Sequence, residues 1–267
     1  MKQTDKSVIP FRAKKSCRML FLAVVMMHGY SSSCAEGALK VYFVRHAEAG
    51  HNVVNRWKGT PKDQWPSYVG NSSMFTPKGK EQIAALTEKL KGMEFDFIAA
   101  SPVWRVRNTI LPYMMLTGQK GEIWPELAET KHVPLEWTAQ ANRLLEPSPD
   151  LFFAKEDIKL PISERPFFAL NEEDQCRFDP NRDDDDQTMV NNLAIAQKTI
   201  DMIRARFSQS GKSILLAGHG NAGYTLLRTL TTSRDIKTML DNTGIWMAEE
   251  QPNGSFKLKV LNGQPSE

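Results

Sequence analysis

Three short apolar segments, each ending abruptly in polar or cationic residues, constrain the fold of this chain more than any other feature. Residues 41–44 are followed by Arg45 and His46, residues 97–100 by Ser101, Pro102 and Arg105, and residues 214–217 by Gly218, His219 and Gly220. Short runs rich in β-branched and other apolar residues predict buried strands. Ligands of an α/β sheet bind beyond the carboxyl ends of its strands. The pattern therefore predicts that two imidazoles and two guanidiniums meet at one end of a sheet and bind a phosphate.

The stretches between these segments show helical patterns. Thr76 and Pro77 are typical of the N-cap and first turn of a helix, which Gly92 should end. Further helices are predicted at residues 103–116, where Pro112 should end or kink the helix, at 190–207 and at 221–230. Further strands are predicted at 123–124, 245–248 and 256–261. Because strand and helix signals alternate, we predict an α/β fold, a three-layer sandwich with a mostly parallel central sheet and helices on both faces.

Two regions lack such patterns. Residues 53–75 predict a loop, because Gly and Pro interrupt them repeatedly. Residues 130–186 are rich in Pro, aromatic and charged residues, and they predict a cap-like insertion packed over one edge of the sheet. The insertion ends in four aspartates at 183–186, whose carboxylates favour the positive end of the helix that follows. The spaced ligands of a calcium loop are missing from this run.

Residues 1–35 have the character of a targeting segment. Lys14, Lys15 and Arg18 precede an apolar run at 19–27, and Ser33-x-Ala35 offers a small-x-small cleavage site. The apolar run is short for a membrane span. We predict a signal peptide cleaved after residue 35, with an uncleaved membrane anchor as the alternative. The remaining domain, residues 36–267, is then expected to be secreted or periplasmic.

The basic charge of the chain lies in the same leader. The full sequence has a net charge of +3, whereas the residues after 35 contain 28 Lys and Arg against 30 Asp and Glu, a net charge of −2. This balance argues against a nucleic-acid partner. Cleavage would also leave Cys176 as the only cysteine, which excludes an internal disulfide and a cysteine-based metal site.

The motifs together resemble the histidine phosphatase superfamily, the phosphoglycerate mutase-like family, and within it the phosphoglycerate mutase branch. The resemblance runs along residues 40–248 and rests on Arg45-His46-Ala47-Glu48 with Asn52, on Ser101-Pro102-x-x-Arg105-x-x-x-Thr109, on Leu127-x-Glu129 and on Gly218-His219-Gly220. It implies that residues 36–267 form the catalytic domain. The acid phosphatase and phytase branch fits less well, because it usually has His-Asp where this chain has His219 and Gly220.

The resemblance implies a chemical role for each of five residues. His46 would be the nucleophile that forms a phosphohistidine, which requires an unprotonated nitrogen. Arg45 and Arg105 would hold the phosphoryl oxygens, and His219 would donate to one of them as charge develops. Glu129 would protonate the leaving oxygen and then activate the water that hydrolyses the intermediate.

Other assignments stay open at this point. Asn52 resembles a substrate-binding residue at the pocket rim, although a cap of the local loop would explain it equally well. Glu122 and Glu126 are rivals of Glu129 for the role of the acid. Ala49 stands where the family usually has Ser or Thr, which removes about 1 kcal/mol of hydrogen bonding. The residues expected at the surface and outside the site are His51, His132 and Arg107.

The sequence thus predicts a metal-independent phosphomonoesterase whose partner is a small phosphate ester or another phosphorylated substrate. Neither a cofactor nor a metal is expected, because the cationic side chains supply the positive charge. Two alternatives remain, a mutase that returns the phosphoryl group to its substrate and a phosphate-binding protein without turnover. Contact with a membrane is expected only if the leader stays uncleaved.

Overall fold

The computed structural model describes residues 37–134, 146–148, 151, 156–170, 176–177, 185–233 and 235–266. By its internal contacts the chain divides into residues 1–33 and 34–267, and all described residues lie in the second unit. The leader and its cleavage after residue 35 therefore fall outside the described residues and stay predictions. Within the described part of the chain, no helix is both long and apolar enough to cross a membrane.

The elements follow the predicted alternation of strand and helix. The strands are β1 (Lys40–Arg45), β2 (Phe97–Ala100), β3 (Gly121–Ile123), β4 (Glu156–Asp157), β5 (Phe168–Ala169), β6 (Cys176–Arg177), β7 (Ser213–Gly218), β8 (Ile245–Glu250), β9 (Phe256–Leu261) and β10 (Gln264–Pro265). The α-helices of the described residues are α1 (Pro77–Lys91), α2 (Trp104–Thr117), α3 (Asp186–Phe207) and α4 (Gly220–Thr231). Three shorter segments form 3-10 helices, Gly50–Trp57, Lys62–Gln64 and Pro125–Leu127.

One sheet organises the fold. Its strand order is β10-β9-β8-β1-β7-β2-β3-β5. Five neighbouring strands, β1, β7, β2, β3 and β5, run parallel to one another. Strands β8, β9 and β10 add an antiparallel edge. The β1–β7 register places Arg45 beside Gly218. The carboxyl ends of β1, β7 and β2 therefore lie together, as the three strand-end motifs predict.

Both faces of the sheet are covered by helices. Side chains alternate along β1, so that Phe43 packs with Ile203 of α3 and Leu227 of α4. Val44 points to the other face and packs with Ile110 of α2. This period-two alternation is what a strand buried on both faces requires. It confirms the predicted α/β sandwich with a mostly parallel sheet.

The predicted helix starts are formed by side-chain caps. The Thr76 hydroxyl accepts a hydrogen bond from the Gly79 backbone N–H at 2.9 Å, and Pro77 occupies the first turn. The Asp185 carboxylate accepts from the Thr188 backbone N–H at 2.7 Å and so caps α3. Each cap satisfies one of the backbone donors that a helix start leaves free.

The prediction that Pro112 ends its helix is wrong, whereas a kink at this residue stays a prediction. Helix α2 continues without interruption to Thr117. Ile110, Tyr113 and Met114 are buried on both sides of the proline, so packing against the sheet holds the helix together. A proline removes one backbone donor, and burial of the flanking residues outweighs that loss.

The region predicted as a loop, residues 53–75, contains 3-10 helical turns. Backbone contacts join its two ends to each other. The Gly50 N–H donates to the Met74 carbonyl at 2.9 Å, and Ala49 forms an isolated bridge with Phe75. The Gly70 N–H donates back to the Gly50 carbonyl at 2.9 Å. The segment therefore starts and ends beside the strand end that carries His46.

The insertion, residues 130–186, extends the sheet rather than only covering its edge. Strand β5 pairs in parallel with β3 and becomes the edge strand. Strands β4 and β6 form a separate antiparallel pair. Strands of two residues give no periodic signal, which is why the sequence did not reveal them.

Candidate active site

The ends of β1, β2 and β7 place two histidines side by side. The ring centroids of His46 and His219 are 5.2 Å apart, and the rings meet edge to face at 68°. Both rings are buried. His219 precedes the first residue of α4, so the positive end of that helix points toward the same space.

The contacts of His46 determine which of its nitrogens carries the proton. Nδ1 lies 2.8 Å from the carbonyl oxygen of Ala47, and the Arg105 Nε–H donates to Nε2 at 3.3 Å. A carbonyl can only accept and a guanidinium can only donate. Nδ1 is therefore protonated, and Nε2 directs a lone pair toward Arg105.

The surroundings of His46 also keep its ring neutral. Burial lowers the pKa of His46 well below its ordinary value of 6.5, and the charge of Arg105 lowers it further. Arg45 and His51 act in the same direction, while the hydrogen bond to the Ala47 carbonyl opposes them. A neutral imidazole with an unprotonated nitrogen is a nucleophile at neutral pH.

Arg105 connects the two histidines. Its Nη2 lies 3.1 Å from the Nδ1 atom of His219, in addition to the contact that Nε makes with His46. Thr109, one turn later in α2, donates to the Arg105 carbonyl at 2.7 Å and accepts from the Ala47 N–H at 2.9 Å. The Thr109 hydroxyl therefore fixes the first turn of α2 against the residue that follows His46.

Arg45 reaches the same space from β1. Its Nη1 donates to the Leu240 carbonyl at 2.6 Å, and its Nε is buried without a hydrogen-bond partner among the described residues. Burial lowers its pKa. A methyl group on Gly220 would come within 3.1 Å of the guanidinium carbon, so glycine at this position allows Arg45 to approach the start of α4.

Glu129 is the carboxylate that belongs to this cluster. Its Oε2 lies 3.4 Å from His219 Nδ1 and 4.0 Å from Arg105 Nη2, and its side chain is 19% exposed. Its two rivals point elsewhere. Glu126 is buried in an ion pair with Lys198 at 2.5 Å, and Glu122 pairs with Arg206 at 2.6 Å.

Comparison with known proteins shows a family to which part of the chain is similar. A model of the histidine phosphatase superfamily (branch 1) matches residues 41–161, which include Arg45, His46, Arg105 and Glu129. The match covers 121 of the 267 residues and shows that this part of the chain is similar to the histidine phosphatase superfamily. A search of curated proteins gave no match.

Solved structures share the fold of this chain. A mycobacterial glucosyl-3-phosphoglycerate phosphatase has a TM-score of 0.50 and 14% identity, over 85% of this chain and 100% of its own. A mycobacterial protein called hydrolase 1 has a TM-score of 0.50 and 15% identity, over 85% of this chain and 99% of its own. An Escherichia coli protein suggested to be an alpha-ribazole-5'-P phosphatase has a TM-score of 0.51 and 16% identity, over 86% of this chain and 99% of its own. At such identities the similarity establishes the fold.

Asn52 contacts the loop beside the candidate site. Its Oδ1 accepts from the Ala49 backbone N–H at 3.0 Å, so the amide is oriented with Nδ2 toward the His51 Nε2, 3.1 Å away. Of the two predicted roles, the structure therefore displays the loop cap. The predicted contact with substrate stays a prediction.

The prediction that His51 lies at the surface, outside the site, is wrong. Its ring is half-buried, and its centroid is 5.5 Å from that of His46. Burial lowers the pKa of His51 to about 4, and the charges of Arg105 and Arg45 contribute. The 3-10 turn that begins at Gly50 directs this side chain into the site, and no pattern in the sequence indicates that turn. His132, by contrast, is exposed and stacks against Tyr224.

The prediction that Arg107 is a surface residue is also wrong. The side chain is buried, and its guanidinium forms an ion pair with Glu164 from the insertion. A charged residue two positions after Arg105 in a helix ordinarily faces solvent. The partner that permits burial is 57 residues away in sequence, which local patterns do not report.

Two residues that no sequence motif indicated contact the backbone of the site. The Asn242 Nδ2 donates to the His46 carbonyl at 3.0 Å, and the Thr243 N–H donates to the Arg45 carbonyl at 3.1 Å. They belong to the stretch Asp241-Asn242-Thr243-Gly244, which precedes β8. Such a cluster is a turn signal, so a turn was predictable here, although its contact with β1 was not.

The cluster is better suited to an anion than to a metal ion. Atoms of His46, Glu129 and His219 that could bind a metal lie within 4.8 Å of one another. However, Arg105 contacts both imidazoles, and the Arg45 guanidinium lies against Gly220 beside them. Two fixed positive charges repel a cation and attract a phosphate. Metal-independent chemistry at this site stays a prediction.

Proposed function

We propose that this protein hydrolyses phosphate monoesters through a phosphohistidine on His46, without a metal. The observation that carries the proposal is the state of His46, a buried neutral imidazole whose Nε2 lone pair faces Arg105. A phosphate ester is an anion, so a neutral nucleophile attacks it with less repulsion than a carboxylate or thiolate does.

The proposed first step transfers the phosphoryl group to the protein. Arg45 and Arg105 hold the phosphoryl oxygens, and His219 donates to one of them. The Nε2 atom of His46 forms a bond to phosphorus as the bond from phosphorus to the ester oxygen breaks. Glu129 gives its proton to the departing oxygen, which leaves as an alcohol.

The second step restores the protein. The ionised Glu129 removes a proton from water, whose oxygen attacks the phosphorus. The phosphorus–nitrogen bond breaks, inorganic phosphate leaves, and His46 regains its lone pair. The partial exposure of Glu129 supports this role, because a general base for hydrolysis must meet solvent water.

For the substrate we propose a small phosphate ester. One protein of the same fold is a phosphatase of glucosyl-3-phosphoglycerate, a small phosphorylated metabolite. The predicted leader would export residues 36–267 to the periplasm or the outside of the cell, or anchor them to a membrane if it is not cleaved. Water is then the abundant acceptor for the phosphoryl group, which favours a phosphatase over a mutase.

The deciding experiment measures phosphate release and the intermediate together. The protein should release inorganic phosphate from p-nitrophenyl phosphate in the presence of a chelator, and vanadate should inhibit it. A rapid quench that avoids acid should trap the phosphoryl group on His46. His46→Ala should abolish labelling and turnover, whereas the control His132→Ala should retain both.

Two results would contradict this proposal. Turnover by His46→Ala at the wild-type rate would exclude the phosphohistidine. Rapid interconversion of 2- and 3-phosphoglycerate in the presence of the bisphosphate, with little phosphate release, would make the protein a mutase.

A further inference from the structure

The insertion supplies a buried carboxylate to the base of helix α2. Glu164 accepts a hydrogen bond from the Arg107 Nε and another from the Asn108 Nδ2, the latter at 3.1 Å. Arg107 is 4% exposed and Glu164 is 3% exposed. The ion pair is therefore removed from solvent and from the screening that weakens surface pairs.

A short turn fixes the position of Glu164. Its backbone N–H donates to the Pro161 carbonyl at 2.9 Å, and its carbonyl accepts from Phe167 at 3.0 Å and Phe168 at 3.1 Å. Phe168 begins the edge strand β5 and is buried in the core. The carboxylate is thus attached to the sheet and is held independently of Arg107.

Arg107 connects Glu164 to the backbone of the proposed phosphate site. Its Nη1 donates to the Pro102 carbonyl. The neighbouring Ser101 has its Oγ 3.0 Å from His219 Nε2. Arg105, which contacts both histidines, lies two residues before Arg107 in the first turn of α2. One guanidinium therefore connects the insertion, the Ser101–Pro102 turn and the turn that carries Arg105.

We propose that Arg107 and Glu164 are positioning residues that set the phosphate-binding geometry of Arg105 and His219. The proposal rests on the phosphatase function above and makes the insertion part of the catalytic apparatus. A buried ion pair contributes little stability compared with apolar residues of similar size. What this pair provides that apolar residues do not is a directed donor to the Pro102 carbonyl. A displacement of about 1 Å in a reacting group can cost on the order of 100-fold in rate.

The central test compares two ways of removing the pair. The double variant Arg107→Met with Glu164→Leu leaves no uncompensated buried charge, so its melting temperature should stay near that of the wild type. We expect its kcat/KM for p-nitrophenyl phosphate to fall by about 10- to 100-fold, mainly through kcat. Its affinity for vanadate should fall by a similar factor. A double variant with wild-type stability, kcat/KM and vanadate affinity would overturn the proposal.

A second variant covers the case in which the double variant does not fold. Arg107→Lys keeps the charge, but a single ammonium group lacks the planar fork that serves Glu164 and Pro102 together. We expect it to fold and to lose kcat/KM in the same direction, and unchanged kinetics would again overturn the proposal. The control is Glu122→Gln, which removes the ion pair with Arg206 and should leave the kinetics unchanged.

The test also separates this proposal from the proposed function. If the wild-type protein released no phosphate from any ester, the phosphatase function would fail. Calorimetric binding of vanadate and inorganic phosphate would still compare the wild type with the variants. Weaker binding by Arg107→Lys and by the double variant would support the positioning role, and equal binding would refute it.

Discussion

At the scale of single residues, the proposed chemistry depends on the proton and charge states of a few side chains. The Ala47 carbonyl keeps the proton of His46 on Nδ1, and Arg105 faces the lone pair on Nε2. The Oε2 atom of Glu129 lies 3.4 Å from His219 Nδ1, and the Glu129 side chain is partly exposed. Nucleophile and acid are therefore separate groups, and each can be tested by itself.

The role of Glu129 is tested by the leaving group of the substrate. Glu129→Gln should slow phosphoryl transfer strongly for alkyl phosphates, because an alkoxide needs a proton to leave. Nitrophenolate leaves without one, so the same variant should lose less with p-nitrophenyl phosphate. Single-turnover rates for both esters give the comparison, with Glu126→Gln as the control. Equal losses for both esters would indicate that another group is the acid.

The lowered pKa of His51 predicts a specific dependence of stability on pH. Above pH 6.5 the ring is neutral in both the folded and the unfolded state. As the pH falls from 6.5 to about 4, the unfolded chain binds a proton that the folded protein does not, so the free energy of unfolding decreases. Below about 4 the folded protein is protonated as well, and the decrease from this residue ends.

Urea unfolding of a variant measures this contribution. His51→Phe should show a smaller loss of stability between pH 7 and pH 4.5 than the wild type. His132→Phe, at an exposed position, should follow the wild type. Identical losses in His51→Phe and the wild type would show that the ring of His51 does not resist protonation in the folded protein.

At the scale of elements, the site depends on how helix α2 docks against the end of β1. The only described side chain that joins the Ala47 N–H to α2 is Thr109, which also bonds to the Arg105 carbonyl. The turn at residues 241–244 supports β1 from the antiparallel side through Asn242 and Thr243. Backbone contacts of this kind hold His46 more rigidly than its side chain alone could.

Removal of the Thr109 hydroxyl tests the docking of α2. Thr109→Val keeps the shape of the side chain but leaves the buried Ala47 N–H without an acceptor, which should cost about 1–3 kcal/mol of unfolding free energy. The matched control is Thr117→Val in the same helix at an exposed position, expected within about 0.5 kcal/mol of the wild type. Urea denaturation measures the free energy of unfolding of both variants. Equal losses for the two substitutions would contradict the proposed docking role of Thr109.

At the scale of the whole molecule, one sheet collects residues from distant parts of the chain. Strands β1, β2 and β7 lie side by side although more than 100 residues separate β2 from β7 in the sequence. The insertion joins the same sheet as its edge strand. Site and insertion therefore share one rigid support, which explains how a contact at Glu164 can influence Arg105.

The destination of the molecule is predicted from its first 35 residues. The short apolar run and the Ser33-x-Ala35 site predict that the exported protein begins near Glu36. N-terminal sequencing of the protein recovered from the periplasm or the medium provides the measurement. A protein that retains Met1 and sediments with membranes would indicate an uncleaved anchor instead.

Much of the fold and the centre of the site were predictable from the sequence. An abrupt change from apolar to polar residues indicates the end of a strand, as at Arg45 and His219. The positions of Glu164, Arg107 and His51 were not predictable. Each depends on a contact that a local pattern of apolar and polar residues does not indicate. A two-residue strand such as β5 likewise forms only because β3 offers it an unpaired edge.

The sequence by itself determined which residues stand at strand ends and hence which could meet a phosphate. Only the tertiary structure decided which of three neighbouring glutamates lies beside His219, since Glu122 and Glu126 are held away by Arg206 and Lys198. The physical reason is the range of the forces involved. Alternation and helical spacing reflect local burial, whereas a buried charge is placed by whichever opposite charge the folded chain brings to it.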